Sequence, residues 1–324
     1  VSAIQTDRLT KFYGRHRGIE DLTMTVEPGE VFGFLGPNGA GKTTTIRTLL
    51  DLLHPSAGSA RILGLDSHRD SVAIRKRIGN LPGDFGFGKH TSGGEALTVL
   101  ARLRGVDGLG RAAELAARLR ADLSRPLGQL SRGNRQKVGL ILALFHRPEL
   151  LIFDEPTGGL DPLMQEEFLA LVAEERDRGC TIFLSSHELD EVQRVCDRVG
   201  IIRDGRLVAV ERVADLIGKT RRHVEVEFAA PVDLAGLAGL RACPGVSKLQ
   251  AHAAHVSFDV AGDLDPAIKE ISRHTVMDLD FAHPALEQVF LSYYEDRPGS
   301  DANRGADASG GGGGRSAAAE APAR

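Results

Sequence analysis

Residues 36 to 44 read Gly36-Pro37-Asn38-Gly39-Ala40-Gly41-Lys42-Thr43-Thr44, a G-x-x-x-x-G-K-[ST] run. Glycines at this spacing let successive backbone N–H groups turn toward one anion, Lys42 can reach β- and γ-phosphates, and the Thr43 hydroxyl can ligate Mg²⁺. A second chemical set lies further on, where the apolar run Leu150-Leu151-Ile152-Phe153 ends in Asp154-Glu155. Successive strand side chains point to opposite faces, so Asp154 can hold a magnesium shell while Glu155 addresses an attacking water. Phosphoryl transfer needs both, because its catalysis is mainly placement and charge stabilisation. The competing reading, a strand that merely ends in two solvent-facing acids, is the weaker one beside a phosphate loop.

The surrounding elements must place these groups. A Pro28-Gly29 turn and the apolar stretch Val31-Phe32-Gly33-Phe34-Leu35 predict a strand leading into the loop, and Thr45-Ile46-Arg47-Thr48-Leu49-Leu50 predicts a helix leaving it. That helix adds the positive end of its dipole to the anion site. Up to about residue 217, short apolar runs, among them Thr181-Ile182-Phe183-Leu184, alternate with helical patterns, the rhythm of a mostly parallel α/β domain. Between residues 94 and 123 helical spacing of Leu97, Leu100, Leu103, Leu115 and Leu119 replaces the strand signal, marking a helical insert over about 90–145. From 221 the order changes to βαββαβ, beginning with the alternating Val224-Glu225-Val226-Glu227-Phe228 and closing on a helix through Leu286-Glu287-Gln288-Val289-Phe290. This predicts a small split-βαβ domain over 221–296. After Arg297 the chain is Gly, Ala, Ser, Asp and Arg with almost nothing to bury, so 297–324 is expected to be disordered.

Composition narrows the classes. The 324 residues, 42% of them hydrophobic, suffice for one full-sized domain and a smaller one. No stretch approaches about 18 consecutive apolar residues, and no basic segment followed by an apolar core opens the chain, so a cytosolic location is expected. Cys180, Cys196 and Cys243 are far apart and form no C-x-x-C pair, which suits packing residues in a reducing compartment. A net charge of −4 without a long basic block leaves no footprint for nucleic acid. His252 and His255 could be taken for metal ligands, but a continuous strand would set them on opposite faces.

With these motifs placed, the chain resembles the ATP-binding subunit of an ABC transporter, a P-loop NTPase, over residues 4 to 217. The 36–44 run corresponds to the family's Walker A loop. Leu130-Ser131-Arg132-Gly133-Asn134-Arg135-Gln136 stands where the family carries LSGGQ, Gly158-Gly159-Leu160-Asp161-Pro162 resembles the D-loop, and Ser185-Ser186-His187 resembles the switch-histidine segment. The resemblance implies an ATPase with Lys42, Glu155 and His187 as catalytic residues, Glu155 as general base or water-orienting group and His187 as γ-phosphate sensor. It implies nucleotide contacts from Tyr13, from Gly36, Pro37, Asn38, Gly39, Ala40, Gly41, Lys42, Thr43 and Thr44, and from Ser131, Gly133 and Asp161, with Mg²⁺ on Thr43 and Asp154. Tyr13 matches the aromatic that stacks on adenine, although an ordinary half-buried strand aromatic would read the same way. In the family two such domains pack head to tail, so a homodimer is expected, with the phosphate loop of one copy facing the signature segment of the other across ATP.

The chain also departs from that pattern. Gly83, in Ile78-Gly79-Asn80-Leu81-Pro82-Gly83-Asp84, occupies the position of the Q-loop glutamine, which leaves its role open unless Asp84 supplies an oxygen. Arg132 and Asn134 replace a glycine and the glutamine of the signature, and Gly158 replaces the D-loop serine. Similar variants among bacterial exporter ATPases imply slow but real hydrolysis. The segment after 221 resembles the C-terminal extension of ATPases paired with ABC-2-type permeases, which points to an exporter of drugs, antibiotics or other small hydrophobic molecules, held on the cytoplasmic face of the membrane by a separately encoded permease. Two alternatives remain open: a soluble ABC ATPase of translation or repair, and a nucleotide-controlled scaffold. A single motif set without a coiled-coil or zinc insert opposes the first. Lys42, Asp154, Glu155 and His187 together oppose the second.

Overall fold

A computed structural model describes residues 1–219 and 222–282. Its strands are β1 (Ile4–Tyr13), β2 (His16–Val26), β3 (Val31–Leu35), β4 (Ala57–Ile62), β5 (Leu65–Asp66), β6 (Ile78–Leu81), β7 (Leu150–Asp154), β8 (Thr181–Ser186), β9 (Arg198–Arg203), β10 (Arg206–Arg212), β11 (Arg222–Phe228), β12 (Val246–His252), β13 (His255–Val260) and β14 (Val276–Ala282). Its helices are α1 (Lys42–Leu49), α2 (Ser71–Arg77), α3 (Gly93–Arg104), α4 (Gly110–Arg118), α5 (Arg132–Leu144), α6 (Pro162–Asp177), α7 (Leu189–Val195), α8 (Val213–Lys219), α9 (Ala238–Ala242) and α10 (Asp265–Ile271).

The central sheet runs β10-β9-β3-β8-β7-β6, parallel from β9 to β6 with β10 antiparallel at the edge. Every residue of β3, β7 and β8 is buried, as expected of parallel strands covered on both faces. Phe32, Phe34 and Phe183 fill one side, with the Phe32 and Phe183 rings stacked at 5.8 Å. Each such ring withdrawn from water contributes roughly 1.5–3 kcal/mol. Register then sets the site: Leu35 lies beside Ser186 and Asp154 beside Ser185, so β3, β7 and β8 end together along one edge. The carboxyl edge of a parallel sheet is where ligands bind.

The region ahead of α2 departs from the expected parallel alternation. Strands β2, β1, β4 and β5 form a separate antiparallel sheet in that order. The reason is local. Only Gly14 and Arg15 join β1 to β2, with Gly14 at φ 60°, and a parallel crossover needs a dozen or more residues.

Helices α3, α4 and α5 fall where helical spacing predicts the insert. α3 opens with a capping box in which the Ser92 hydroxyl accepts from the Glu95 N–H and Glu95 accepts from the Ser92 N–H. From β11 to β14 the order is βαββαβ, as expected, in an antiparallel sheet β12-β13-β11-β14 with its own cluster of Val224, Val226, Phe228, Leu240, Phe258 and Ile271. The helix expected over 286–291 and the tail 297–324 lie outside the described residues.

His252 and His255 correct an expectation. They are not on one continuous strand: a turn at Ala253 and Ala254 separates β12 from β13 and pairs the two histidines directly, so both rings line the same open face of the sheet. Cys180 and Cys196 are buried, and burial pushes the Cys180 thiol up to about 12, which suits packing rather than reactivity.

Candidate nucleotide site

Beyond β3 the chain enters the phosphate loop with Gly39 at φ 81° and Gly41 at φ 110°. Gly41 has a second constraint: a Cβ there would lie 2.8 Å from the Gly18 carbonyl oxygen and 2.9 Å from an Ile19 methyl. The loop therefore closes tightly on the β2 backbone, and α1 starts at Lys42 with its N-terminal N–H groups facing the loop. Lys42 is buried, and its Nζ donates to the Gly36 carbonyl at 2.6 Å and to the Pro37 carbonyl at 3.3 Å. These bonds keep the ammonium over the loop.

Asp154 is 2% exposed, and its Oδ1 accepts from the Ser185 hydroxyl at 2.7 Å across the β7–β8 register. Glu155 follows the strand end with φ 50°, a left-handed conformation that costs on the order of 1–3 kcal/mol for a residue with a side chain. This turn, rather than strand alternation alone, aims the carboxylate. Glu155 Oε1 sits 3.3 Å from Lys42 Nζ and 3.5 Å from His187 Nδ1. The strained backbone is held from two sides. Ser185 accepts the Glu155 N–H through both its carbonyl and its hydroxyl at 3.2 Å, and the buried Gln136 donates to the Glu155 and Pro156 carbonyls at 3.2 and 2.9 Å.

Lys42 and Glu155 border a cavity of about 270 Å³ lined also by Tyr13, Arg17, Gly18 and Thr43, together with the loop itself. Tyr13 is 45% exposed and lines the cavity, its hydroxyl 3.5 Å from Thr44 Oγ1 and the Lys11 ammonium 5.7 Å from the ring centre. A buried ammonium, a helix N-terminus and a flat ring fit a triphosphate and a base. The acidic oxygen of Asp154 and the hydroxyl of Thr43 are hard oxygen donors of the kind Mg²⁺ takes. Gly83 belongs to this arrangement, since a Cβ there would stand 3.2 Å from Asp154 Oδ2. The position lies against the buried Asp154 carboxylate, and a glycine contributes no side-chain oxygen to it. Asp84 is exposed.

Ser131, Gly133 and Asp161 do not line this cavity. Ser131 caps α5 by accepting from the Asn134 N–H at 3.3 Å, and Asp161 caps α6 by accepting from the Met164 N–H at 3.0 Å. Gly133 lies against the D-loop, where a Cβ would meet the Gly159 carbonyl oxygen at 2.3 Å. Both caps are exposed. Sequence reasoning missed Ser185 and Gln136 as positioning residues. Their signal was present, Gln136 within the signature segment and Ser185 beside the switch histidine, but their partners are backbone atoms and one carboxylate that only the fold brings near.

Phosphate loop, acidic strand end and parallel sheet define a P-loop nucleotide-binding α/β protein. The model of the ABC transporter family matches residues 19–158. A bacitracin transport ATP-binding protein of Bacillus licheniformis is 37% identical over 229 residues, covering 69% of this chain and 74% of that protein. The Nod factor export ATP-binding protein I of Paraburkholderia xenovorans is 34% identical over 301 residues, 90% of this chain and 96% of its own length. A solved ATP-binding subunit of an ABC transporter superposes with a TM-score of 0.63 at 30% identity, covering 66% of this chain and 92% of that one. The chain belongs to the ABC transporter ATP-binding family and is an ABC-type ATPase that binds ATP.

Proposed function

We propose that this chain is the ATP-hydrolysing subunit of an exporter, working as a pair of copies on a separately encoded ABC-2-type permease at the cytoplasmic face of the membrane. The observation that carries the proposal is the division of the site. Lys42 and Glu155 line one cavity, with His187 beside the Glu155 carboxylate, while Ser131, Gly133 and Asp161 are not among its lining residues. A site split in this way is completed by a second copy, whose Ser131 hydroxyl and Gly133 N–H, with the positive end of α5, would meet the γ-phosphate. ATP then holds the two copies together, and hydrolysis loosens them, which gives an attached partner two states.

Within one chain, Lys42 binds the β- and γ-phosphates, Glu155 orients or deprotonates the attacking water, and His187, sharing Glu155 Oε1, reports the γ-phosphate. Thr43 and Asp154 would hold Mg²⁺, which neutralises phosphate charge when bound. Tyr13 stacks on the base.

Permease docking is supported by a mostly apolar groove of about 520 Å³ bordered by Leu52, Val72, Phe85, Phe87, Leu100 and Leu103. Leu52, Val72 and Leu103 are each more than half exposed, an arrangement suited to an apolar helix from a membrane partner. Phe85 and Phe87 follow Gly83 closely, so the groove adjoins the segment beside Asp154. No helix among the described residues is long and apolar enough to cross a membrane. The units are read as an ATP-binding domain over 1–217, an accessory domain over 221–296 and a tail over 297–324. The name of the Nod factor relative favours export and that of the bacitracin transport relative favours an antibiotic, within the wider class of drugs and other small hydrophobic molecules.

Glu155→Gln tests the enzyme assignment. ATP turnover should fall by at least about 100-fold while ATP binding persists, as expected when a water-placing group is removed from an intact phosphate site. Unchanged turnover would remove Glu155 from its role.

A further inference from the structure

Among the described residues, one group of three potential metal donors lies outside the nucleotide site: Asp51, His54 and His68, with ligand atoms within 4.8 Å of one another. Asp51 and His54 stand in the turn just past α1, and His68 stands in the turn between β5 and α2. Asp51 Oδ1 is 2.7 Å from His68 Nδ1 and 3.4 Å from His54 Nδ1, and the two rings meet edge to face at 4.8 Å. Tetrahedral zinc with its usual bond lengths sets ligand atoms about 3.3 Å apart, a spacing these two distances bracket.

Three features favour a cation here. Asp51 lies at the C-terminal end of α1, where the helix dipole is negative and a lone carboxylate is disfavoured. Its position is nonetheless enforced, with φ at 55° and a side chain only 13% exposed. The nearby permanent cations bond to backbone: Arg75 donates to the Leu50 and Asp51 carbonyls at 2.9 and 3.5 Å, and Lys11 donates to the His54 carbonyl at 2.7 Å. The two histidine rings are 73% and 61% exposed.

We propose that Asp51, His54 and His68 form a binding site for a borderline transition-metal dication of the zinc class, which joins the end of the phosphate-loop helix to the turn ahead of α2. Two imidazoles and one carboxylate select zinc, cobalt or nickel over magnesium, so this ion is chemically distinct from the one expected with ATP. The fourth position belongs to water. Because Leu50, Leu52 and Val72 border the apolar groove, the metal would fix one wall of the surface assigned to the permease.

Zinc titration of the chelator-stripped, nucleotide-free full chain tests the site, with Co²⁺ as a spectroscopic substitute. One Zn²⁺ should bind per chain, and Co²⁺ should show the intense visible absorption of a tetrahedral centre. His54→Ala with His68→Ala should weaken binding by at least about 100-fold and abolish the cobalt bands, since losing even groups that only support metal ligands costs 10–100-fold. Asp51→Asn should act in the same direction while keeping the side-chain volume. His252→Ala with His255→Ala should leave binding intact. Absence of a stoichiometric zinc, or a zinc lost in the His252/His255 variant and kept in the His54/His68 variant, would overturn the proposal.

Discussion

The phosphate-loop face and the signature face of this molecule are built on opposite principles. On the first, functional side chains hold one another: Lys42 is fixed by two loop carbonyls, Glu155 by Ser185 and Gln136, and the Glu155 carboxylate lies between Lys42 and His187. On the second, Ser131 and Asp161 bond only to the N–H groups of their own helices, and both are exposed. The first face is preorganised toward its own cavity. The second is a pair of helix starts presented outward. The side chains with several mutual bonds are those around the phosphate loop, and under the proposed pairing of two copies the exposed caps would meet a surface that a second copy supplies. Gln136 links the two, rising from the signature helix to hold the backbone of Glu155.

The largest effect should come from Ser131→Arg. It places bulk and charge on the outward face, and turnover should drop by at least about 100-fold while ATP binding to the single chain changes by less than about twofold. Isothermal titration with a non-hydrolysable ATP analogue, alongside phosphate release, separates the two. Equal losses in both would erase the distinction between the faces.

Gln136→Leu probes the link. Without its two donors, the left-handed turn at Glu155 loses support worth about 1–3 kcal/mol, so kcat should fall about tenfold with KM nearly unchanged. A change confined to KM would show that Gln136 serves binding rather than the aim of Glu155.

The smallest effect concerns the far end of the signature helix. There the imidazole Nε2–H of His146 donates to the Ile78 carbonyl at 3.1 Å, and burial, with the nearby Arg104 charge, lowers its pKa to about 4. An unfolded histidine titrates near 6.5, so between pH 6.5 and 4 the unfolded chain binds more protons and stability falls as pH falls. After solvent screening the loss should be on the order of 1–2 kcal/mol. Urea unfolding at pH 7 and pH 5 should show a smaller difference for His146→Gln, which keeps a donor but does not titrate. An identical pH response in both proteins would remove His146 as the cause.

Much of this was legible in the sequence because the phosphate loop and the acidic strand end are local patterns whose residue types carry their own chemistry, while the signature segment was legible through the family resemblance. Leu150 to Asp154 could be read as a buried strand from its apolar run alone. What could not be read depends on contacts distant in sequence or on single backbone angles. The antiparallel sheet was hidden because β1 and β4 pair across more than forty residues, and the aim of Glu155 because it rests on one left-handed φ. The shared face of His252 and His255 follows from a two-residue turn whose alanines carry no glycine or asparagine signal. Gly83 shows the reverse case: its departure from the family pattern was plain in the sequence, but only the fold places it against Asp154.

The central claim is that one chain holds half of each ATP site. Light scattering coupled to gel filtration of Glu155→Gln, alone and combined with Ser131→Arg, tests it most directly. In ATP and Mg²⁺ the single variant should elute at twice the mass of one chain, and the double variant should bind ATP as tightly yet remain at the mass of one chain. The Ser131 cap contributes only about 1 kcal/mol to α5, so the double variant should stay folded. Equal dimerisation by both variants, or ATP-bound Glu155→Gln that stays a single chain, would contradict the account.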